Sequence, residues 1–562
     1  MANSDSSALA KPAYFNFAQD VVDCWAAKDK DQQAMFWVSE DYKIERSLSY
    51  SHFKVQSHRI ALLFERLGVK AGDVVLMILP RVPEWWEIAV AALRIGVIIC
   101  PATTLLVDKD VEFRCQQTRA KVFIGNDAST GKLQNVRRGC AELKIVIRID
   151  EAASSRDDVV DFREAMKEIP LDAVVKQRRT KAEDPAIIFF TSGTSGPPKM
   201  VRHNHVSYPL AHTITGKHWL QLSPGKLYWN LSEQGWAKAA WSFFGAWNCG
   251  ASLFVHDDRS SFSATRLVDN IHKYPITTLC APPTAYRQLV LLENQTYLSH
   301  HFPRALEHCT GTGEPLNDSV IKVWQQMTAM EIYDGYGQTE TVLVCGNFKG
   351  TTIKPGSMGK PSPGVPLYVI DGEGGECGVG VEGDIAISRD RKDFFGIFEG
   401  YLNNDGTLDH RTKTLDGKQW YLTSDRATRD GDGYFWFVGR ADDVINSSGY
   451  RIGPFEVEST LKLHPAVIES AVVASPDPTR SEVVKAFIVL TSEYAQKAKS
   501  KSSSERLIKE IQEFCKKNAS PYKYPRKVQF VDANFLPKTI SGKIKRAELK
   551  MMEWRKAGQA KL

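Results

Sequence analysis

Several things are missing from this chain, and each absence removes a class of function. Its ten cysteines form no C-x-x-C pair and no ladder of spacings, which argues against a disulfide framework or a zinc site and for reduced thiols inside a cell. The longest apolar run, Ile88 to Cys100, is short and broken by Arg94, so no membrane span is expected. Charge of one sign is also missing: 72 Lys and Arg against 66 Asp and Glu leave only +6. That balance does not predict nucleic-acid binding, though it suits a protein that handles anions. The polar start, Met1 to Lys11, carries Asp5 and no arginine, unlike a secretory signal or a mitochondrial transit peptide. There is no internal repeat and no persuasive Ser/His/Asp set.

At 562 residues and 43% hydrophobic composition, the chain predicts a globular protein of two or more domains. From Asp73 to about Cys309, apolar β-favouring runs alternate with helical patterns. Examples are Val74–Leu79, a helix through Trp85 to Ile95, Val97–Cys100, Val122–Ile124, Ile145–Ile147, Ala186–Phe190, Ser252–Val255 and Thr277–Cys280. Such alternation predicts βαβ units with helices on both faces of the sheets. Glycine becomes dense between Gly356 and Gly383, which suggests a β-rich subdomain. A break follows Phe435–Gly439. Beyond it, a helix over Phe455–Leu463, strands at Ala471–Ala474 and Val484–Leu490, and a helix with Leu507, Ile511 and Cys515 on one face predict a compact α+β unit. The Lys/Ser-rich stretch Ser492 to Ser504 reads as a loose connection. The fold class is therefore α/β: a large N-terminal domain, residues 1–440, and a small mobile C-terminal α+β domain, residues 441–562.

What the chain does have is a stretch of hydroxyls and glycines directly after the Ala186–Phe190 run: Thr191, Ser192, Gly193, Thr194, Ser195, Gly196, Pro197, Pro198 and Lys199. Glycines let successive N–H groups point into a concave nest for phosphate oxygens, hydroxyls add donors, and Lys199 adds charge. It is not a Walker A loop, because Pro198 and Met200 replace the second glycine and the final hydroxyl. Downstream, Tyr336-Gly337-Gln338-Thr339-Glu340 offers a phosphate donor in Thr339 and, in Glu340, a carboxylate of the kind Mg²⁺ takes. Asp425, in Thr423-Ser424-Asp425, suits ribose hydroxyls. Arg440, in Gly439-Arg440-Ala441-Asp442-Asp443, suits ribose or phosphate. Lys543 sits in a small-residue loop, Lys538-Thr539-Ile540-Ser541-Gly542-Lys543.

Together and in this order, these motifs resemble the adenylate-forming superfamily, from about Tyr50 to Arg546. The resemblance is closest to the medium-chain acyl-CoA synthetases, whose phrasing is similar to Gln234–Lys238, Gly396–Tyr401, Ser448–Pro454 and Ala519–Lys527. It implies an AMP-forming acid–thiol ligase that uses ATP, Mg²⁺ and coenzyme A. A carboxylate attacks the α-phosphate to give an acyl-adenylate and pyrophosphate, and coenzyme A then displaces AMP. By position, residues 191–199 would hold the β- and γ-phosphates and Glu340 would hold Mg²⁺. Thr339 would touch the α-phosphate or acyl carboxylate, and Lys543 would clamp the two together. Gly313, Glu314, Pro315, Asp334, Gly335 and Tyr336 would surround the adenine, with Gly337 and Gln338 beside them. Asp425, Arg440 and Arg451 would hold the rest of the nucleotide. Coenzyme A would lie against Ser448, Gly449, Tyr450, Arg480, Tyr524, Pro525 and Arg526, with Gln116 also a candidate. The hinge of a rotating small domain would be Asp442.

One departure concerns Ser424, which stands where the commoner pattern has glycine. Trp236 and Ala237, followed by Lys238, Trp241 and Phe243, are expected to line or flank the acyl pocket, which suits medium-chain fatty acids or aryl and alkyl acids; for Trp241 and Phe243 ordinary helix packing is the equal alternative. His203 and His205 are expected to pack or cap. A luciferase-like oxidoreductase and a carrier-protein-loading enzyme are the alternatives. Ala560-Lys561-Leu562 closely resembles the Ser-Lys-Leu address, from which a peroxisomal location and an import receptor as partner are expected. Oligomeric state is not legible.

Overall fold

The protein is described here by a computed structural model covering all residues except 1–8, 151–157, 192–197, 314, 315, 317, 448, 449, 479, 520–522, 540, 541, 557 and 559–562; at 292, 318, 319, 450 and 451 only the backbone is described. The chain forms two compact units. The first comprises the chain up to Thr191, then Lys199–Pro366 and Arg389–Arg411. The second comprises Leu367–Ser388 and the chain from Thr412 onward.

Among the described residues the first unit contains two nine-stranded sheets. In one, Ser252–His256, Leu227–Asn230, Thr278–Ala281, His308–Thr312 and Ile332–Gly337 run parallel. In the other, Val74–Ile78 lies between Ile98–Pro101 and Val122–Gly125, all parallel. Pro185–Thr191 joins Ile98–Pro101 through Ile99 and Ile187. The strands at Val74–Ile78 and Val122–Gly125 are buried throughout, as expected of parallel sheets covered on both faces. Two strands that local pattern had not marked, Gln33–Val38 and Glu45–Ser49, extend the first sheet at one edge.

Helices Tyr50–Arg66 and Pro83–Arg94 cover the sheets. The Ser49 hydroxyl accepts the His52 N–H and starts one of them; proline at the first position, where its missing N–H is harmless, starts the other. An aromatic core joins these helices: Phe53 meets Trp247 at 4.6 Å, Trp85 meets Phe243 edge-on at 6.2 Å, and Phe17 meets Phe244 edge-on at 4.8 Å. Burying each such ring contributes about 1.5–3 kcal/mol. Phe243 belongs to this cluster, 4.8 Å from Trp247, and is 1% exposed. Of the two expectations for that residue, helix packing is the one the structure bears out.

The second unit holds two sheets among its described residues. Leu367–Ile370, Gly383–Ser388, Lys418–Arg429, Thr412–Leu415 and Phe435–Arg440 form an antiparallel sheet, the β-rich region that glycine density announced. Val467–Asp477 and Ser481–Leu490 form the long hairpin of the other sheet. Leu507, Ile511 and Cys515 pack into the core beneath it. The expected loose connection at 492–504 is instead two helices, Ser492–Lys497 and Lys501–Asn518. The hydroxyls of Thr491 and Ser500 cap them, so serine that reads as flexible by composition is here a start signal. Helix Arg546–Lys556 is pinned at its first residue: Arg546 donates to both oxygens of buried Glu458 at 2.7 and 2.8 Å.

All ten cysteines are free thiols. Among the described residues no helix is long and apolar enough to cross a membrane.

Candidate functional site

The hydroxyl-glycine stretch joins two antiparallel strands, Pro185–Thr191 and Lys199–Asn204, with Thr191 opposite Lys199. Its two ends are therefore held side by side by sheet hydrogen bonding. Ser192, Gly193, Thr194, Ser195 and Gly196 lie outside the described residues. Strand Gly400–Leu402 pairs with the far side of Lys199–Asn204, placing Tyr401 opposite Val201. The Lys199 ammonium lies 4.9 Å from the centre of the Tyr401 ring, a cation–π distance. The Tyr401 hydroxyl donates to Oε1 of Glu340 at 2.8 Å. Cation, phenol and carboxylate thus meet at the edge of the candidate phosphate loop. Sequence reasoning assigned Tyr401 no role; it lies in a recognisable run, but its bond to Glu340 has no local pattern.

Asp334, Gly335, Tyr336 and Gly337 occupy strand Ile332–Gly337. A Cβ on Gly335 would come within 2.7 Å of Trp219 and Leu343, and one on Gly337 within 2.7 Å of the Val342 carbonyl. Only glycine fits at either position. The Gln338 N–H donates to the Thr341 hydroxyl at 3.1 Å, and the Thr341 N–H returns to the Gln338 carbonyl, so Thr339 and Glu340 ride a closed turn. His203 Nε2–H donates to the Thr339 carbonyl at 2.8 Å, and its Nδ1 accepts from Ser207 at 3.1 Å. Burial holds the His203 pKa down to about 3, which keeps the ring neutral, and the Thr339 carbonyl, which can only accept, fixes this tautomer. The histidine expected to pack or cap therefore caps Thr339. Gly313 follows strand His308–Thr312 with φ of 113°; Glu314 and Pro315 lie outside the described residues.

Helix Ala237–Asn248 begins at Trp236. The Tyr208 hydroxyl donates to the Ala237 carbonyl at 2.8 Å, and Lys238 reaches the Thr312 carbonyl at 3.1 Å. Trp236 and Ala237 are half-buried, and Lys238 beside them reaches the strand that leads to Gly313.

In the second unit, Asp425 lies directly opposite Arg440 across adjacent strands, with Nη1 3.8 Å from Oδ1. Arg440 Nε also faces Asp442 Oδ1 at 3.4 Å. Burial works against the arginine's charge, but Asp425, Asp442 and Asp443 outweigh it and raise its pKa. Ser424 stands at φ 63°, a left-handed angle at the position where glycine is the commoner residue. Lys543 is exposed at the end of a tight turn: its N–H donates to the Thr539 hydroxyl at 3.1 Å, its carbonyl accepts from the Thr539 N–H, and Gly542 takes φ 82°.

Of the coenzyme A candidates, Tyr524 stacks under Arg526 at 4.9 Å, and Gln512 donates to the carbonyls of Pro525 and Arg526. Ser447 pairs with Ser481, bringing the strand before Ser448 beside the one that follows Arg480. Ser448 and Gly449, and the side chains of Tyr450 and Arg451, are not described. Gln116 belongs to the first unit, where it donates to the Gly139 carbonyl at 3.0 Å.

Residues 22–402 match the family model of the AMP-binding enzyme, and residues 456–543 match that of the AMP-binding enzyme C-terminal domain. The chain belongs to the AMP-binding enzyme family. It is 46% identical over 554 residues to the acyl-coenzyme A synthetase ACSM3, mitochondrial, of Homo sapiens, covering 97% of this chain and 91% of that one. It is similar to a solved acyl-CoA synthetase of Brucella canis, with TM-score 0.72, 32% identity, and 97% and 96% of the two chains covered. It also resembles the anthranilate CoA ligase AuaEII in complex with anthranoyl-AMP, with TM-score 0.83, 27% identity, and 97% and 99% covered. The protein is an AMP-forming acid–CoA ligase with ATP, Mg²⁺ and coenzyme A as its cosubstrates, as the motif order implies.

One expectation is corrected. The terminal Ala560-Lys561-Leu562, outside the described residues, led to a peroxisomal location and an import receptor. Two acyl-coenzyme A synthetases of Homo sapiens that match 97% of the chain, ACSM3 and ACSM5, carry mitochondrial names. A three-residue ending arises easily by chance, and a match over 554 residues outweighs it.

Proposed function

We propose that Lys199, Tyr401 and Glu340 form the phosphate and metal end of the adenylation site. The observation that carries this is the Tyr401–Glu340 hydrogen bond beside Lys199. Residues 191–199 hold the departing pyrophosphate, and Thr339 contacts the α-phosphate or the acid. A carboxylate whose orientation is set by a phenol donor is the hard-oxygen ligand Mg²⁺ prefers, with water and phosphate oxygens completing its shell, so Glu340 fits the ion. When bound, Mg²⁺ neutralises charge on the phosphates. Lys543 is the cation that draws carboxylate and α-phosphate together in the first half-reaction. Two anions meet there and charge builds on the bridging oxygen, so positioned cations and N–H donors supply most of the acceleration.

Gly313, Glu314, Pro315, Asp334, Gly335 and Tyr336 form the adenine surround, with Gly337 and Gln338 beside it. Asp425, Arg440 and Arg451 take the ribose and phosphates. Ser448, Gly449, Tyr450, Arg480, Tyr524, Pro525, Arg526 and Gln116 take coenzyme A. Residues 441–562 act as a mobile domain hinged at Asp442. Trp236 and Ala237 form the acid-binding wall, and the acid is a medium-chain fatty or aryl carboxylic acid; half-buried aromatic surface at Trp236 and the anthranoyl-AMP held by a structural relative support this. The human relative's name supports a mitochondrial location.

The test supplies ATP, Mg²⁺ and a panel of medium-chain and aryl acids, with and without coenzyme A. Lys543→Ala is expected to abolish adenylate formation while supplied acyl-adenylate is still converted to thioester. Equal loss of both half-reactions refutes the role given to Lys543.

A further inference from the structure

The turn that introduces the acid-binding wall is held by a carboxylate clasp that the reaction scheme does not use. Glu233 lies three residues before Trp236, at the end of the segment that leaves strand Leu227–Asn230. Its Oε2 accepts from the Thr103 hydroxyl at 2.5 Å. Its Oε1 accepts from both the hydroxyl and the N–H of Thr104, at 2.6 and 2.8 Å. Three donors on one carboxylate define its position in three directions, and each is the stronger for having a carboxylate acceptor.

Both ends of the clasp are themselves braced. Lys132 donates to the Thr104 carbonyl at 2.8 Å. Arg81 donates to the Leu231 carbonyl at 3.2 Å and to the Asp258 carbonyl at 2.5 Å. Between Glu233 and Trp236 the backbones themselves touch: a Cβ on Gly235 would lie 2.0 Å from the Thr103 nitrogen. The Glu233 carbonyl then accepts the Trp236 N–H at 3.1 Å, and the Trp236 carbonyl accepts the Ala239 N–H at 3.0 Å. Helix Ala237–Asn248 has no side-chain cap at Trp236; the turn held by Glu233 sets its first residues instead.

Thr103 and Thr104 come one residue after strand Ile98–Pro101, which pairs with Pro185–Thr191, the strand that enters the phosphate loop. The clasp therefore ties the wall segment, which belongs to one sheet, to the loops of the other sheet that lead to the nucleotide. We propose that Glu233 is a positioning residue for catalysis: through Thr103 and Thr104 it fixes Trp236 and Ala237, and so sets which acids the site accepts. This rests on the reading of Trp236 and Ala237 as the acid-binding wall.

The test measures kcat and KM for straight-chain acids of increasing length, for benzoate and for ATP, together with thermal midpoints. Glu233→Ala is expected to raise KM for the preferred acid by roughly tenfold or more and to flatten the chain-length profile, with KM for ATP changed by about twofold at most. Glu233→Gln keeps a carbonyl acceptor for Thr104 and is expected to recover most of the acid KM. Thr104→Val, which keeps the backbone donor and the side-chain shape, is expected to shift the profile in the same direction by a smaller factor.

The proposal is overturned if Glu233→Ala and Thr104→Val leave the acid profile unchanged while Trp236→Ala alters it. It is equally overturned if Glu233→Ala lowers the thermal midpoint and scales every substrate alike, with no rescue by glutamine. If Trp236→Ala itself leaves the acid profile unchanged, the wall assignment has failed and the proposal falls with it.

Discussion

Replacing Tyr401 by phenylalanine isolates one interaction. The ring stays, so the platform 4.9 Å under the Lys199 ammonium is kept, and strand Gly400–Leu402 loses no backbone partner. What goes is the hydroxyl that donates to Glu340 at 2.8 Å. A hydrogen bond to a charged acceptor is worth about 1.5–3 kcal/mol. Tyr401 is half-buried, so water replaces part of the lost bond and the lower end applies, about 1.5–2 kcal/mol. If that energy orients the carboxylate proposed to hold Mg²⁺, it appears as a drop of about 10–30-fold in kcat/KM for adenylation.

The assay is acid-dependent exchange of pyrophosphate into ATP, repeated over a Mg²⁺ titration and set beside thioester formation from supplied acyl-adenylate. Tyr401→Phe should slow the first reaction and leave the second within about twofold. The reasoning is refuted if adenylation stays within about twofold of wild type, or if both half-reactions fall by one factor. The first result would mean that Glu340 needs no phenol to hold it. The second would mean a general structural loss.

Two further outcomes follow from backbone and burial. Ser424 holds φ 63°, where a Cβ costs about 1–2 kcal/mol, while glycine gives back about 0.5–1 kcal/mol in unfolded-state entropy; Ser424→Gly should therefore raise the thermal midpoint slightly and leave Asp425 and the KM for ATP unchanged, and a lower midpoint would show that the serine side chain is needed. Burial holds the pKa of His205 and of His308 down to about 4, below the value near 6.5 that each regains on unfolding. The unfolded chain then binds protons that the folded chain does not, so stability is full above about pH 6.5 and falls as pH drops toward 4, by about 2 kcal/mol per histidine at pH 5. Urea midpoints at pH 7 and pH 5 check this: His205→Leu should lose about 2 kcal/mol less than wild type over that interval, and equal losses would contradict a neutral buried His205.

The parallel strands at Val74–Ile78 and Val122–Gly125 were legible because full burial demands unbroken apolar runs. The edge strand Glu45–Ser49, with only Leu48 buried, gave no such signal, since one partner strand and local turns were enough to hold it. Helix Lys501–Asn518 was half legible. Its apolar face showed at Leu507, Ile511 and Cys515, but its start was hidden, because Ser500 and Ser503 look like linker residues until they exchange hydrogen bonds as a capping box.

The site divides along the same physical line. Asp425, Thr339, Glu340 and Lys543 stand out in sequence because each sits in a short motif with its own turn chemistry. Tyr401, His203 and Glu233 act on partners far along the chain, and a hydrogen bond between residues 61 or 136 positions apart imposes no periodicity on the residues between. Gly235 is the intermediate case. Its identity is visible, but the reason for it is the Thr103 backbone 2.0 Å from where a Cβ would be, and that approach exists only once both sheets have formed. Groups expected to touch substrate were therefore legible from local pattern. Groups that hold them in place become legible only with the fold, which is why Glu233→Gln and Tyr401→Phe probe what the motifs alone do not reach.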